Sequence, residues 1–228
     1  MDACALTLFL YGDPNHKFAR TLDQVEANCR CVPCFLPHLA FSHTQPSSRV
    51  RKSKEAESCV RDQVKQCYQS PVMKQYFALM MRGPSGLLKK SCSRKGMREV
   101  IRHADCLSAS KPALDACTRA AIRETVRVSK ADPKLFLPAS CCVVSKAREC
   151  SESAVKSACH GASLEYIRSE MKAFQGEAID LACGSIHDHR SAKCQGVFSK
   201  LPPLDPQEEL PRSLLPVTLR IMSQFLTA

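Results

Sequence analysis

Fifteen cysteines in 228 residues constrain this chain more than any other feature. A reducing compartment does not favour so many thiols, and only metal clusters or disulfides account for them. Metal sites announce themselves as repeated close pairs such as C-x-x-C. Most spacings here are wide and irregular, a pattern that suits cross-links between helices. The disulfide candidates are Cys29, Cys59, Cys67, Cys92, Cys106, Cys117, Cys141, Cys142, Cys150, Cys159, Cys183 and Cys194. They remain when Cys4, in an apolar N-terminal stretch, and Cys31 and Cys34, in an irregular segment, are set aside: 15 − 3 = 12, an even number that allows six bridges. The spacing leaves their pairing open. Cys141 and Cys142 are adjacent, point in different directions on a helix and need separate partners.

The chain is long enough to bury a core without help. With 44% hydrophobic and 24% charged residues it reads as globular rather than disordered. Trp is absent and aromatics are 6%, so the core must be built from Leu, Val, Ile, Ala, Met and cystine. Ala3 to Gly12 has the length of a signal-peptide apolar region but carries Asp2 where basic residues are usual. Residues 1–14 are therefore expected to be a weak or truncated signal-like segment, and 15–228 a single helical, cysteine-rich domain. No stretch is apolar for long enough to cross a bilayer, and neither Asn15 nor Asn28 begins a glycosylation sequon.

From about residue 54 the periodicity is helical nearly everywhere. Leu164, Ile167, Met171, Phe174, Ala178 and Leu181 step by three and four along one stripe, with Gly184 as the stop. Ala56, Cys59, Val60, Val64, Cys67 and Tyr68 share a face, as do Leu114, Cys117, Ala121, Ile122, Thr125 and Val128. Helix starts are predicted at Ser70-Pro71, at Ser110 before Pro112, and at Asp132-Pro133. Ser151 is read as the cap of a short helix ending at Cys159-His160-Gly161. The last helix is placed near Ser213, with Pro216 in its first turn and Leu215, Leu219, Met222 and Leu226 on one side. No alternating β-branched run competes. The expectation is an all-α, disulfide-stapled bundle of seven or eight helices, with a Pro-rich connector from Leu201 to Pro211. Residues 31–51 have no helical period and interrupt helical segments at Thr21 to Arg30 and Lys54 to Gln69. An insert of that kind is a long surface loop or a gene-model artefact such as a retained intron.

The run from Lys54 through Cys59 to Cys67, the run from Arg94 to Cys106, the Cys141-Cys142 pair and the closing Arg212-Ser213-Leu214-Leu215-Pro216 segment carry a resemblance. Together they resemble arthropod secreted cysteine-rich helical proteins of unknown function, related to the insect haemolymph glycoprotein group. The resemblance runs from Thr21 to the C-terminus, and residues 31–51 have no counterpart in it. It implies a secreted all-α fold with disulfides and implies no catalytic residues.

Candidate sites are few. Cys29, Cys31, Cys34, His38 and His43 have the residue types of a zinc site, but three residues between the Cys and His pairs leave no room for a finger. His187-Asp188-His189 flanks an acid with two imidazoles, and its bland reading is a polar loop closed by a Cys183–Cys194 bridge. There is no G-x-S-x-G, and Gly83 to Ser91 misses phosphate-loop spacing; it reads as a helix interrupted at Gly83-Pro84. The net charge of +11 suggests attraction to anionic partners. Lys89, Lys90, Arg94, Arg98 and Arg102 are the basic-surface candidates: behind a Ser93 cap the three arginines share one helix face. Met73, Met80 and Met81, with Phe77 and Leu79, could line an adaptable apolar pocket, though such residues are more often core. These readings lead to a secreted, extracellular, non-enzymatic protein with no cofactor and no metal, binding or carrying a small apolar ligand. The alternative is an interaction protein that engages anionic polysaccharide or partner proteins through its basic surface. Neither nucleic acid nor a transmembrane segment is expected.

Overall fold

The structure, a computed structural model, describes residues 61, 62, 66, 70–184 and 188–227. Among the described residues there are eight α-helices and no strand: α1 (Pro71–Met80), α2 (Arg82–Ser91), α3 (Arg94–Arg102), α4 (Ala104–Ser129), α5 (Phe136–Ala158), α6 (Gly161–Cys183), α7 (Ala192–Phe198) and α8 (Leu215–Thr227). A 3-10 turn, Pro133–Leu135, leads into α5. The fold is thus all-α and disulfide-stapled. The signal-like segment 1–14, the 31–51 insert, the zinc-like cluster and Cys29, Cys59 and Cys67 lie outside the described residues.

The long helices α4 and α5 form the spine, in the most extensive helix contact of the fold. They run antiparallel: the Cys117–Cys150 bridge and the Lys146–Glu124 ion pair at 3.0 Å join them at successive levels. Asp132 makes the turn between them, its carboxylate accepting from the Lys134 N–H at 2.9 Å. The expected α4 stripe is the buried one, from Leu114 through Ile122 to Val128. Its C-terminal half packs with Phe136, Ala139 and Val143 of α5 and with Val217 and Ile221 of α8. A second cluster, at the other end of the spine, joins Leu107 and Leu114 to Val155 and to Ile167 of α6. α6 also lies against α2, and α7 against α5.

Three predicted helix boundaries are corrected. α4 runs unbroken through Pro112 instead of starting at Ser110. Proline forfeits one backbone bond and crowds the preceding turn, but here it is bracketed by cross-links. Cys106–Cys159 lies on one side and Cys117–Cys150 on the other. The Ser110 hydroxyl donates to the Leu107 carbonyl rather than capping. Likewise α5 passes straight through Ser151. Ala139, Val143, Ala147 and Ala154 lie on one packed face on both sides of that position, so the helix carries on through it and a local cap signal is overridden. The interruption expected at Gly83-Pro84 falls instead at Met81, and both residues lie in the first turn of α2, where proline is tolerated; Ser70 precedes Pro71 at the start of α1 as expected, and Gly184, at φ +41°, ends α6. α8 starts at Leu215 with Pro216 in its first turn. Its buried face is wider than predicted and includes Val217 and Ile221, because α8 lies against both α1 and α4.

The connector after α7 is non-helical; Arg127 holds its start, and Lys130 pairs with Glu208 further along at 2.5 Å. The Arg127 guanidinium donates to the carbonyls of Pro202 at 2.9 Å, Leu201 at 3.1 Å and Phe198 at 3.4 Å. Glu124 holds it from behind at 2.8 Å. Phe198 is the last residue of α7 and Leu201 and Pro202 follow it, and the planar guanidinium serves the three carbonyls together.

Gly96 permits the tight corner between α2 and α3. A Cβ there would overlap the Lys90 carbonyl oxygen and lie 2.7 Å from its carbon, whereas a Cβ on Gly86 meets nothing within 4 Å. Gly96→Ala is therefore expected to destabilise by about 1–3 kcal/mol through overpacking, and Gly86→Ala to stabilise by up to about 1 kcal/mol through helix propensity. Urea unfolding of the two variants checks the pair, and equal effects would contradict this corner geometry.

Candidate functional site

Cys141 and Cys142 do have separate partners. Cys141 pairs with Cys183 and Cys142 with Cys194, with Cα–Cα distances of 5.3 and 5.6 Å. This corrects the expected Cys183–Cys194 bridge: the His187-Asp188-His189 segment is tied down at both ends, but to α5 rather than to itself. Cys92 is disulfide-bonded as well.

His187 lies outside the described residues. Asp188 Oδ1 accepts from the Arg190 N–H at 2.8 Å. The His189 backbone N–H donates to the Ser145 hydroxyl at 3.0 Å, and the His189 Nδ1 is 3.3 Å from Glu149 Oε2. Arg190 pairs with the other Glu149 oxygen. A shallow depression of about 230 Å³ beside them is lined by Lys146, Glu149, Cys150, Ser153 and His189. Lys146 is engaged by Glu124 and sits 5.4 Å from the centre of the Phe198 ring. The polar groups of this loop serve one another, and among the described residues no three His, Cys, Asp or Glu side chains are grouped to hold a metal.

His103, which the sequence places among the basic residues, is buried instead, 5% exposed at the junction of α3 and α4. Its Nδ1 is 2.9 Å from the Ser163 hydroxyl, and its ring stacks on Tyr166 with centroids 4.4 Å apart. Nε2 lies 3.7 Å from Glu99 Oε2. Serine, histidine and glutamate are the residue types of an activated nucleophile. Here the Glu99 distance is too long for a hydrogen bond and an aromatic ring covers the imidazole. The trio works as a joint that locks the α3–α4 corner onto the first turn of α6.

The basic residues form the more open feature. The Ser93 hydroxyl accepts from the Gly96 N–H at 3.0 Å, so α3 starts where predicted. Lys89, Lys90, Arg94, Arg98 and Arg102 are all exposed. Two of them are neutralised: Lys90 by Glu170 at 2.6 Å and Arg102 by Glu99 at 3.1 Å. Lys89, Arg94 and Arg98, with the neighbouring Lys95, form no ion pair with a described residue. The basic region also extends further than the sequence candidates. Residues 71–98 carry seven Lys and Arg and no Asp or Glu, so α1, α2 and the first half of α3 have no carboxylate of their own. Burial raises the Tyr76 phenol above its ordinary 10.0, so α1 gains no negative charge from that source at neutral pH. A count of acids rather than of bases would have revealed this region in the sequence.

The Met-rich face is mostly core: Met73, Phe77 and Met81 are 2–4% exposed. Among the described residues no helix is long and apolar enough to cross a membrane. No protein-family model, no curated protein and no solved structure matches the chain.

Proposed function

We propose that this is a non-enzymatic extracellular interaction protein that engages an anionic partner through the basic surface of α2 and α3. The observation that carries the reading is the carboxylate-free stretch 71–98, with Lys89, Arg94, Lys95 and Arg98 exposed. Opposed ions would ordinarily quench such a field; here it is left to act on a partner. Four disulfides among the described residues favour an oxidising compartment. The resemblance to arthropod secreted cysteine-rich proteins points the same way. The reading of the chain as a carrier of a small apolar ligand has less support, because Met73, Phe77 and Met81, its best wall candidates, spend their surface on packing.

Heparin chromatography tests the proposal. The protein is expected to elute well above about 0.15 M salt, where screening already reaches within about 8 Å. Changing Lys89, Arg94 and Arg98 together to Gln is expected to bring elution down close to that value. Lys90→Gln and Arg102→Gln are expected to shift it less, because their charges are already paired. Wild-type elution at or below about 0.15 M would rule the proposal out.

A further inference from the structure

We propose that the anionic partner is a lipid bilayer surface, and that α1 supplies its apolar contact; this rests on the anionic-partner reading above. Val72 and Leu79 are 52% and 43% exposed. With Leu137 on α5 they are the exposed large hydrophobic residues among those described. Seven residues apart, they lie two turns along one face of α1. The opposite face, with Met73 and Phe77, is buried against the bundle. The positions between them on the outer side, Gln75 and Ala78, are exposed and uncharged, and exposed Lys74 and Arg82 flank them.

The outer face of α1 therefore offers branched aliphatic side chains set among cations, with no acid from residue 71 to residue 98. A sulfated polysaccharide rewards the cations and gains nothing from valine or leucine. A bilayer with anionic headgroups rewards both: the cations are drawn to the surface potential, and the aliphatic side chains enter the boundary between headgroup and acyl chain. Charge complementarity and apolar exposure coincide on this helix, and that coincidence selects the lipid surface over the polysaccharide. The cations of α2 and α3 add to the attraction.

Vesicle co-sedimentation of the full chain tests this. The protein is expected to sediment with vesicles of phosphatidylcholine and phosphatidylserine and not with phosphatidylcholine alone. Val72→Ser with Leu79→Ser is expected to lower partition about tenfold while heparin retention and thermal unfolding stay as in the wild type. Lys74→Gln with Arg82→Gln is expected to lower partition as well. Heparin retention without vesicle binding would overturn the lipid inference and leave an anionic polysaccharide or protein as the partner. Loss of both would overturn the anionic-partner reading itself. Vesicle binding unchanged in the Val72→Ser, Leu79→Ser variant would remove α1 from the contact and overturn the inference.

Discussion

Replacing Cys142 and Cys194 together by Ala will destabilise the protein by about 3 kcal/mol, as loop-closure entropy gives for the short ring that this bridge closes while Cys141–Cys183 stays in place. The bridge joins α5 to α7, the ring it closes runs through Cys141–Cys183 and residues 183–194, and both of its cysteines are 0% exposed. Loss of the cross-link frees the unfolded chain, and loss of the two sulfurs thins the packing at two fully buried positions. In Cys117–Cys150, by contrast, only Cys117 is buried and Cys150 is exposed, so less packing is lost with it. Its removal should therefore cost less than that of Cys142–Cys194. Urea unfolding of the two double variants, with slopes compared to confirm two-state behaviour, gives the order. A Cys142, Cys194 variant within about 1 kcal/mol of wild type would show that this bridge is incidental.

The second large effect is expected at Lys111 and Asp115. Their side chains are 9% and 8% exposed, one helical turn apart on α4, with Nζ to Oδ2 at 2.5 Å. A buried pair contributes little net stability, because desolvation of both ions offsets their attraction. Removal of one partner is another matter, since it takes the closest opposite charge from an ion that burial keeps largely out of water. Asp115→Ala should cost about 3–5 kcal/mol for that reason. The double change Lys111→Met, Asp115→Leu keeps volume and removes both charges, and should return stability to within about 1 kcal/mol of wild type. This non-additivity is the signature of the pair. Additive losses in the single and double variants would mean that the two residues act through separate contacts.

The architecture was legible because its signals are redundant. Ile167, Leu114 and Val128 announce buried stripes by spacing alone, and Ser93, Asp132 and Gly184 mark turns with a recognisable cap or breaker, whereas Met81 and His103 turn the chain without one. The failures arose where a local signal met a tertiary constraint. Ser110-Pro112 and Ser151 have the chemistry of helix starts, yet cross-links and a packed face on both sides carry the two helices past them. The pairing of Cys183 and Cys194 looked local because they are close in sequence, whereas the packing of α6 and α7 on α5 brings each to a different neighbour. His103 reads as one more polar residue after Arg102; only the crossing of α6, with Ser163 and Tyr166, buries it. The basic residues were found, but which of them are spent could not be: Glu170, which neutralises Lys90, is 80 residues away.

The attachment of Cys183 and Cys194 to neighbouring residues of α5 makes the intervening segment one arc of a covalent macrocycle. A single cut within residues 184–193, for instance after Arg190, would sever the backbone without releasing either end. His189 and Arg190 would still hold to Ser145 and Glu149 of α5, and Ser191 would still cap α7. The two cross-links, and not the backbone between them, thus fix the register of α6 and α7 on α5.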